Sequence, residues 1–220
     1  EFELPIDPAQ PQHASLRVAC EVTARARRRK RHILFYVHGY NNDMGDVLAM
    51  AQALERRYPV EVVAFSWPAN GGGVISGTAS YLNDKRDARA STGGLENCLR
   101  KMGEYLELIT ACNRRRLREL AEARHPRQRE VADALYVELL DKHCPFTVNA
   151  LFHSMGNYLL KQMLKGSQTD ATRLIFDNIV LCQADTNNLD HEFWVDRLNV
   201  RGRVFVTVNE NDFALRASRA

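Results

Sequence analysis

One short segment constrains this chain more than any other. Residues Phe146 to Leu151 form an apolar run, and Phe152-His153-Ser154-Met155-Gly156 follows at once. Behind it comes Asn157-Tyr158-Leu159-Leu160-Lys161-Gln162-Met163-Leu164, which reads as a helix. A strand that stops at a serine and turns directly into a helix is the local pattern of a nucleophile elbow. The tight turn lifts the serine oxygen above the sheet edge. The helix start behind it offers backbone N–H groups and a positive dipole end to developing negative charge. A serine hydroxyl is a weak nucleophile alone, so chemistry also requires a base and an acid to converge on it. The bland alternative for Ser154 is a cap on the helix that follows.

The rest of the chain repeats the alternation of strand and helix. Pro5, Pro8 and Pro11 predict an extended start, and Leu16 to Ala24 alternates enough to predict a strand. A basic run, Arg25 to His32, gives way to Ile33-Leu34-Phe35-Tyr36-Val37, short and apolar as a buried strand should be. It ends in the turn-rich His38-Gly39-Tyr40-Asn41-Asn42-Asp43. Met44 to Arg57 reads as a helix, Val60 to Trp67 as a strand closed by Pro68, and Ala69 to Ser80 as a loop around Gly71-Gly72-Gly73. From about Thr92 to His143 the pattern is helical, with Pro126 dividing it and Arg114-Arg115-Arg116 on the wet side. Leu174 to Leu181 and Val204 to Val208 predict two more strands, with a helix over Leu189 to Leu198 between them. The expected fold class is α/β: a mostly parallel sheet with helices on both faces, in a single domain over residues 1–220 with a helical insertion at about 92–143. Working groups in such a sheet collect beyond the carboxyl ends of the strands, where His38, Trp67, Ser154, Asp185 and Asp212 all fall.

Composition narrows the function classes. With 220 residues and 45% hydrophobic content the chain can bury one sizeable core. No run of ~18 apolar residues exists to cross a bilayer as a helix. Five scattered cysteines form no Cys-x-x-Cys pair and read as free thiols, which suits a cytoplasmic location. No metal or organic cofactor is expected, because no His/Cys set has ligand spacing and the triple glycine lacks the lysine of a phosphate loop. The formal net charge of +3 is a weak excess. No nucleic-acid partner is expected, since the basic runs carry no interleaved aromatics. Weak contact with an anionic membrane is the alternative to a plain solvated face.

Taken in order, Val37-His38-Gly39-Tyr40-Asn41-Asn42, Phe65-Ser66-Trp67-Pro68, Tyr81 with Asp84, His153-Ser154-Met155-Gly156-Asn157 and Asn211-Asp212-Phe213-Ala214-Leu215 resemble the alpha/beta hydrolase superfamily, in particular a bacterial branch of poorly defined role. The resemblance runs from about Ile33 to Ser218. It implies Ser154 as nucleophile, Asp212 as triad acid with Asp185 as the rival, and the backbone N–H groups of Tyr40 and Met155 as oxyanion donors. It implies a serine esterase acting on a small-molecule or lipid ester. A catalytically inactive binding or assembly module of the same shape is the alternative.

Two departures stand out. Phe152 occupies a place that is usually small, so its ring must point away into a hollow or the turn must be looser than usual. No histidine follows Asp212, where the superfamily carries its general base. His153 is expected to pack locally, His38 to shape the oxyanion loop, and His191 is the remaining candidate base. The simplest expectation is a parent protein that continues beyond Ala220 and was trimmed before Glu1. This polypeptide alone is then expected to be nearly inert.

Overall fold

The computed structural model describes residues 13–69, 78–143, 146–166, 174–184, 186 and 192–208. In chain order the elements are α1 (Ala14–Arg29), β1 (His32–Val37), α2 (Met44–Arg57), β2 (Val60–Phe65), α3 (Thr78–Ala90), α4 (Thr92–Arg124), α5 (Arg129–His143), β3 (Val148–His153), α6 (Met155–Gly166), β4 (Asn178–Cys182), α7 (Glu192–Val195) and β5 (Val204–Thr207). They fall into two compact units, one made of Glu1–Arg31 with Lys101–Phe146 and the other of His32–Arg100 with Thr147–Ala220.

The first unit is helical. Leu16 to Ala24, expected as a strand, lies within α1. Its buried residues Cys20, Thr23 and Ala24 follow the three-and-four spacing of a helix face, and this burial overrides the β-branched Val18, Val22 and Thr23. Lys30 ends the helix in the left-handed region (φ 53°), and the Arg31 N–H reaches back to the Ala26 carbonyl. Arg27, Arg28 and Arg29 fill the last turn, where cations suit the helix dipole. Pro126 separates α4 from α5 as the sequence implies. Leu117 and Ala121 of α4 pack with Leu139 of α5, and an Arg118–Asp133 ion pair lies on the exposed side. Arg114 and Arg115 are exposed, but Arg116 is half-buried.

The second unit is a five-stranded sheet in the order β2-β1-β3-β4-β5, with every neighbouring pair parallel. The interior β1 (HILFYV) is apolar almost throughout because both its faces are covered. Phe35 meets Phe65, Phe152 and Phe176 at ring-centroid distances of 6.3, 6.4 and 5.9 Å. From β1 the chain moves through α2 to β2, and from β3 it moves the opposite way through α6 to β4. Right-handed crossovers in opposite directions put α2 and α6 on opposite faces. α3 packs on α6. The direction of travel therefore reverses between β1 and β3, and the loops that leave their carboxyl ends flank a crevice.

Local chemistry sets the ends of these elements. Asp43 caps α2 through a reciprocal pair of hydrogen bonds with Asp46. Asp177 holds the start of β3, accepting from the Val148 N–H and donating to the Val148 carbonyl, both at 2.7 Å. The strand expected over Leu174 to Leu181 begins only at Asn178, since Asp177 makes this anchor first. The glycine loop at 71–73 lies outside the described residues. The loop expected through Ser80 ends sooner, because α3 has begun by Thr78. No helix among the described residues is long and apolar enough to cross a membrane.

Candidate active site

Ser154 stands between the last residue of β3 and the first of α6, with φ at 49°. That left-handed conformation costs a non-glycine residue about 1–2 kcal/mol and persists only where the surroundings hold it. The Ser154 N–H donates to the Cys182 carbonyl at 2.9 Å, which fixes the turn to the end of β4. The Ser154 carbonyl accepts from the Asn157 N–H at 3.0 Å. Asn157, fully buried, then donates through Nδ2 to the carbonyls of Phe152 (2.9 Å), Ser154 (3.1 Å) and Cys182 (3.2 Å). Its Oδ1 is buried without a donor among the described residues.

Two glycines let the loops close on the serine. A Cβ on Gly39 would lie 2.8 Å from the Ser154 Cβ and 3.0 Å from His153 Nδ1. A Cβ on Gly156 would lie 2.9 Å from the carbonyl oxygens of both Val37 and His38. The loop after β1 and the turn after β3 are thus in backbone contact. Phe152 finds its hollow: its ring is fully buried and edge-on to Phe35.

His38 builds the loop after β1. Its Nδ1–H donates to the Gly39 carbonyl at 2.9 Å, and its Nε2 accepts the Trp67 backbone N–H at 3.1 Å. The Trp67 indole donates to the His38 carbonyl at 3.0 Å, and the two rings stack 5.1 Å apart. Burial lowers the imidazole pKa from its ordinary value, against the raising effects of the two backbone hydrogen bonds and of Asp84. A neutral ring with both nitrogens engaged is a brace, and it has no lone pair left to serve as a base.

Tyr40 follows directly, its ring 5.7 Å from that of Tyr81 and edge-on to it. Asn41 is also left-handed (φ 55°), and its N–H donates to Oδ2 of the buried Asp84 at 3.3 Å. Met155 is fully buried and opens α6, where the first N–H groups have no partner within the helix. The Tyr40 and Met155 backbones therefore lie on the two loops that meet at Ser154. His153 turns to Gln183, with Nε2 and Oε1 3.1 Å apart, and Gln183 is itself left-handed (φ 46°). Asp185, Asp212 and His191 lie outside the described residues, so the acid and the base have no described position. Among the described residues, no group of three His, Cys, Asp or Glu side chains could hold a metal ion.

Sequence reasoning passed over the bracing role of Asn157 and the pairing of His38 with Trp67, whereas the buried structural hydrogen bond weighed for Asp84 is present. The signal was present: a polar residue in the first turn of an otherwise apolar helix requires a partner.

Neither the curated proteins nor the solved structures contain a significant match to this chain. Residues 17–110 match the model of a family described as "Alpha/beta hydrolase of unknown function (DUF900)". That stretch takes in β1, the His38–Gly39 loop, β2 and α3, and stops short of Ser154. The parallel sheet, the match over residues 17–110 and the resemblance in motif order agree with an alpha/beta hydrolase-like fold.

Proposed function

We propose that this chain is a serine hydrolase of carboxylic esters, of esterase or lipase type, working through an acyl-enzyme on Ser154. The observation that carries this reading is the left-handed Ser154 at the strand-order reversal, with Gly39 against its Cβ. A strained serine packed beneath a glycine loop has no structural purpose that an unstrained cap would not serve better.

In this reading Ser154 Oγ attacks the acyl carbon. The N–H groups of Tyr40 and Met155 bind the oxyanion, and loss of one such donor typically slows turnover on the order of 10²–10³-fold. A histidine oriented by Asp212, with Asp185 as the rival acid, takes the serine proton and returns it to the departing alkoxide. Water then releases the acyl group by the same path. The substrate is a small-molecule or lipid ester. The competing reading is an inactive module that keeps the hydrolase shape, and a cytoplasmic setting remains the expectation for either.

A fluorophosphonate probe decides between them. Covalent labelling of the chain that disappears in Ser154→Ala supports the hydrolase. Absence of labelling in the unaltered protein, in this chain and in any longer parent, would refute it.

A further inference from the structure

One helical turn beyond Ser154, hydrogen-bond donors have gathered in excess of acceptors. Tyr158 lies in the first turn of α6, four residues past the serine. The Arg89 Nε–H donates to the Tyr158 hydroxyl at 2.5 Å. That bond uses an oxygen lone pair and leaves the phenolic hydrogen to be donated. The Lys85 ammonium lies 5.2 Å from the Tyr158 ring centroid and 4.6 Å from that of Tyr81. Tyr81 in turn packs edge-on to Tyr40 of the loop that meets Ser154. Tyr81, Lys85 and Arg89 are spaced four apart on α3 and so share one face of it.

The charges on this face do not balance. Among the described residues no carboxylate pairs with Lys85, and no acceptor takes the Tyr158 hydroxyl hydrogen. Asp84, next along α3, is fully buried and accepts from the Asn41 N–H. Lys85 is only half-buried and Arg89 is exposed, so a ligand can reach both. Two cations and a phenol converging beside a nucleophile are complementary to an oxyanion group, for which charge-assisted hydrogen bonds are the strong ones.

We propose that Lys85, Arg89 and Tyr158 bind an anionic group, a carboxylate or a phosphate, carried by the substrate that Ser154 attacks. This deepens the hydrolase reading and rests on it for the chemical step alone. The binding of the anion stands apart from catalysis.

The test has two arms. In the first, kcat/KM is compared for the 4-nitrophenyl monoester of glutaric acid and for neutral 4-nitrophenyl butyrate. The unaltered protein should prefer the anionic ester, and Lys85→Met or Tyr158→Phe should reduce that ratio about tenfold, the value of one charge-assisted hydrogen bond. In the second arm, inorganic phosphate and glutarate are titrated calorimetrically into Ser154→Ala protein at low salt. Tighter binding of phosphate than glutarate identifies a phosphate-bearing carboxylic ester as the substrate class, and the reverse order a carboxylate-bearing one. Lys85→Met in the same background should weaken the favoured anion about tenfold. Failure of every ester to turn over, in this chain and in any longer parent, would sink the hydrolase reading while the titration still decides the anion site. Equal binding with and without Lys85 and the Tyr158 hydroxyl, or no binding at all, would overturn the site.

Discussion

Gly156→Ala sets two physical effects against each other, and their difference in sign makes it a sharp test. Gly156 is the second residue of α6. Helix propensity alone favours alanine over glycine by up to about 1 kcal/mol. Against this, the new methyl carbon would sit 2.9 Å from two backbone oxygens, those of Val37 and His38, and 3.2 Å from Val37 Cγ1. Neither carbonyl can retreat freely. Val37 is paired with β2 on one side and β3 on the other, and the His38 carbonyl accepts the Trp67 indole N–H. Overpacking at a rigid site costs about 1–3 kcal/mol, so the net effect is a loss of about 1–2 kcal/mol. Both tryptophans of the chain, Trp67 and Trp194, belong to the sheet unit, so urea unfolding followed by their fluorescence reads that unit. The displaced elbow should also slow fluorophosphonate labelling of Ser154 at least about tenfold, since small misplacements of a nucleophile are expensive. Gly93→Ala, where a Cβ meets nothing within 4 Å, is the control and should be neutral or slightly stabilising. A Gly156→Ala protein as stable as the original, or more so, would show that β1 and the elbow are not in backbone contact.

Three further outcomes are expected. Ser154→Gly should be more stable than Ser154→Ala by about 1 kcal/mol, because glycine adopts the left-handed φ of 49° without strain; equal stabilities in urea melts would remove the strain argument. Asn157→Leu should lose about 1–3 kcal/mol by removing donors from the three carbonyls that Nδ2 serves, and should lower kcat more than it changes KM; unchanged stability would mean that water replaces the amide. His38 is held neutral by burial, so the unfolded chain takes up a proton first on acidification. Its contribution is intact above about pH 6.5 and is lost as pH falls below that toward the lowered folded value. The slope of stability between pH 7.5 and 5 should flatten in His38→Gln, and an unchanged slope would assign the acid sensitivity to other groups.

Much of the candidate site's local geometry was legible because it is set within a few residues. A strand, a serine and a helix in immediate succession permit few backbone paths, and the apolar β1 and β3 could hardly be anything but interior strands. Pro126 divided the helical section for the same kind of reason, since a missing N–H acts on its own turn. Leu16 to Ala24 misled because short segments with β-branched residues suit either element, and only burial against a helical unit selected α1. Nothing in the sequence indicates that Phe152 can occupy its place, because the hollow that takes its ring is lined by Phe35 from another strand.

The order of residues thus determined that His38 and Ser154 sit at the ends of β1 and β3 and that the turn at Ser154 is tight. The tertiary structure alone decided their company: that Gly39 touches Ser154, that Asn157 joins two strands to the elbow, and that Lys85 and Arg89 surround Tyr158. The reason is distance along the chain. Hydrogen bonds and hydrophobic spacing within a few residues leave a periodic trace, whereas contacts such as Arg89 with Tyr158 join segments 69 residues apart and leave none.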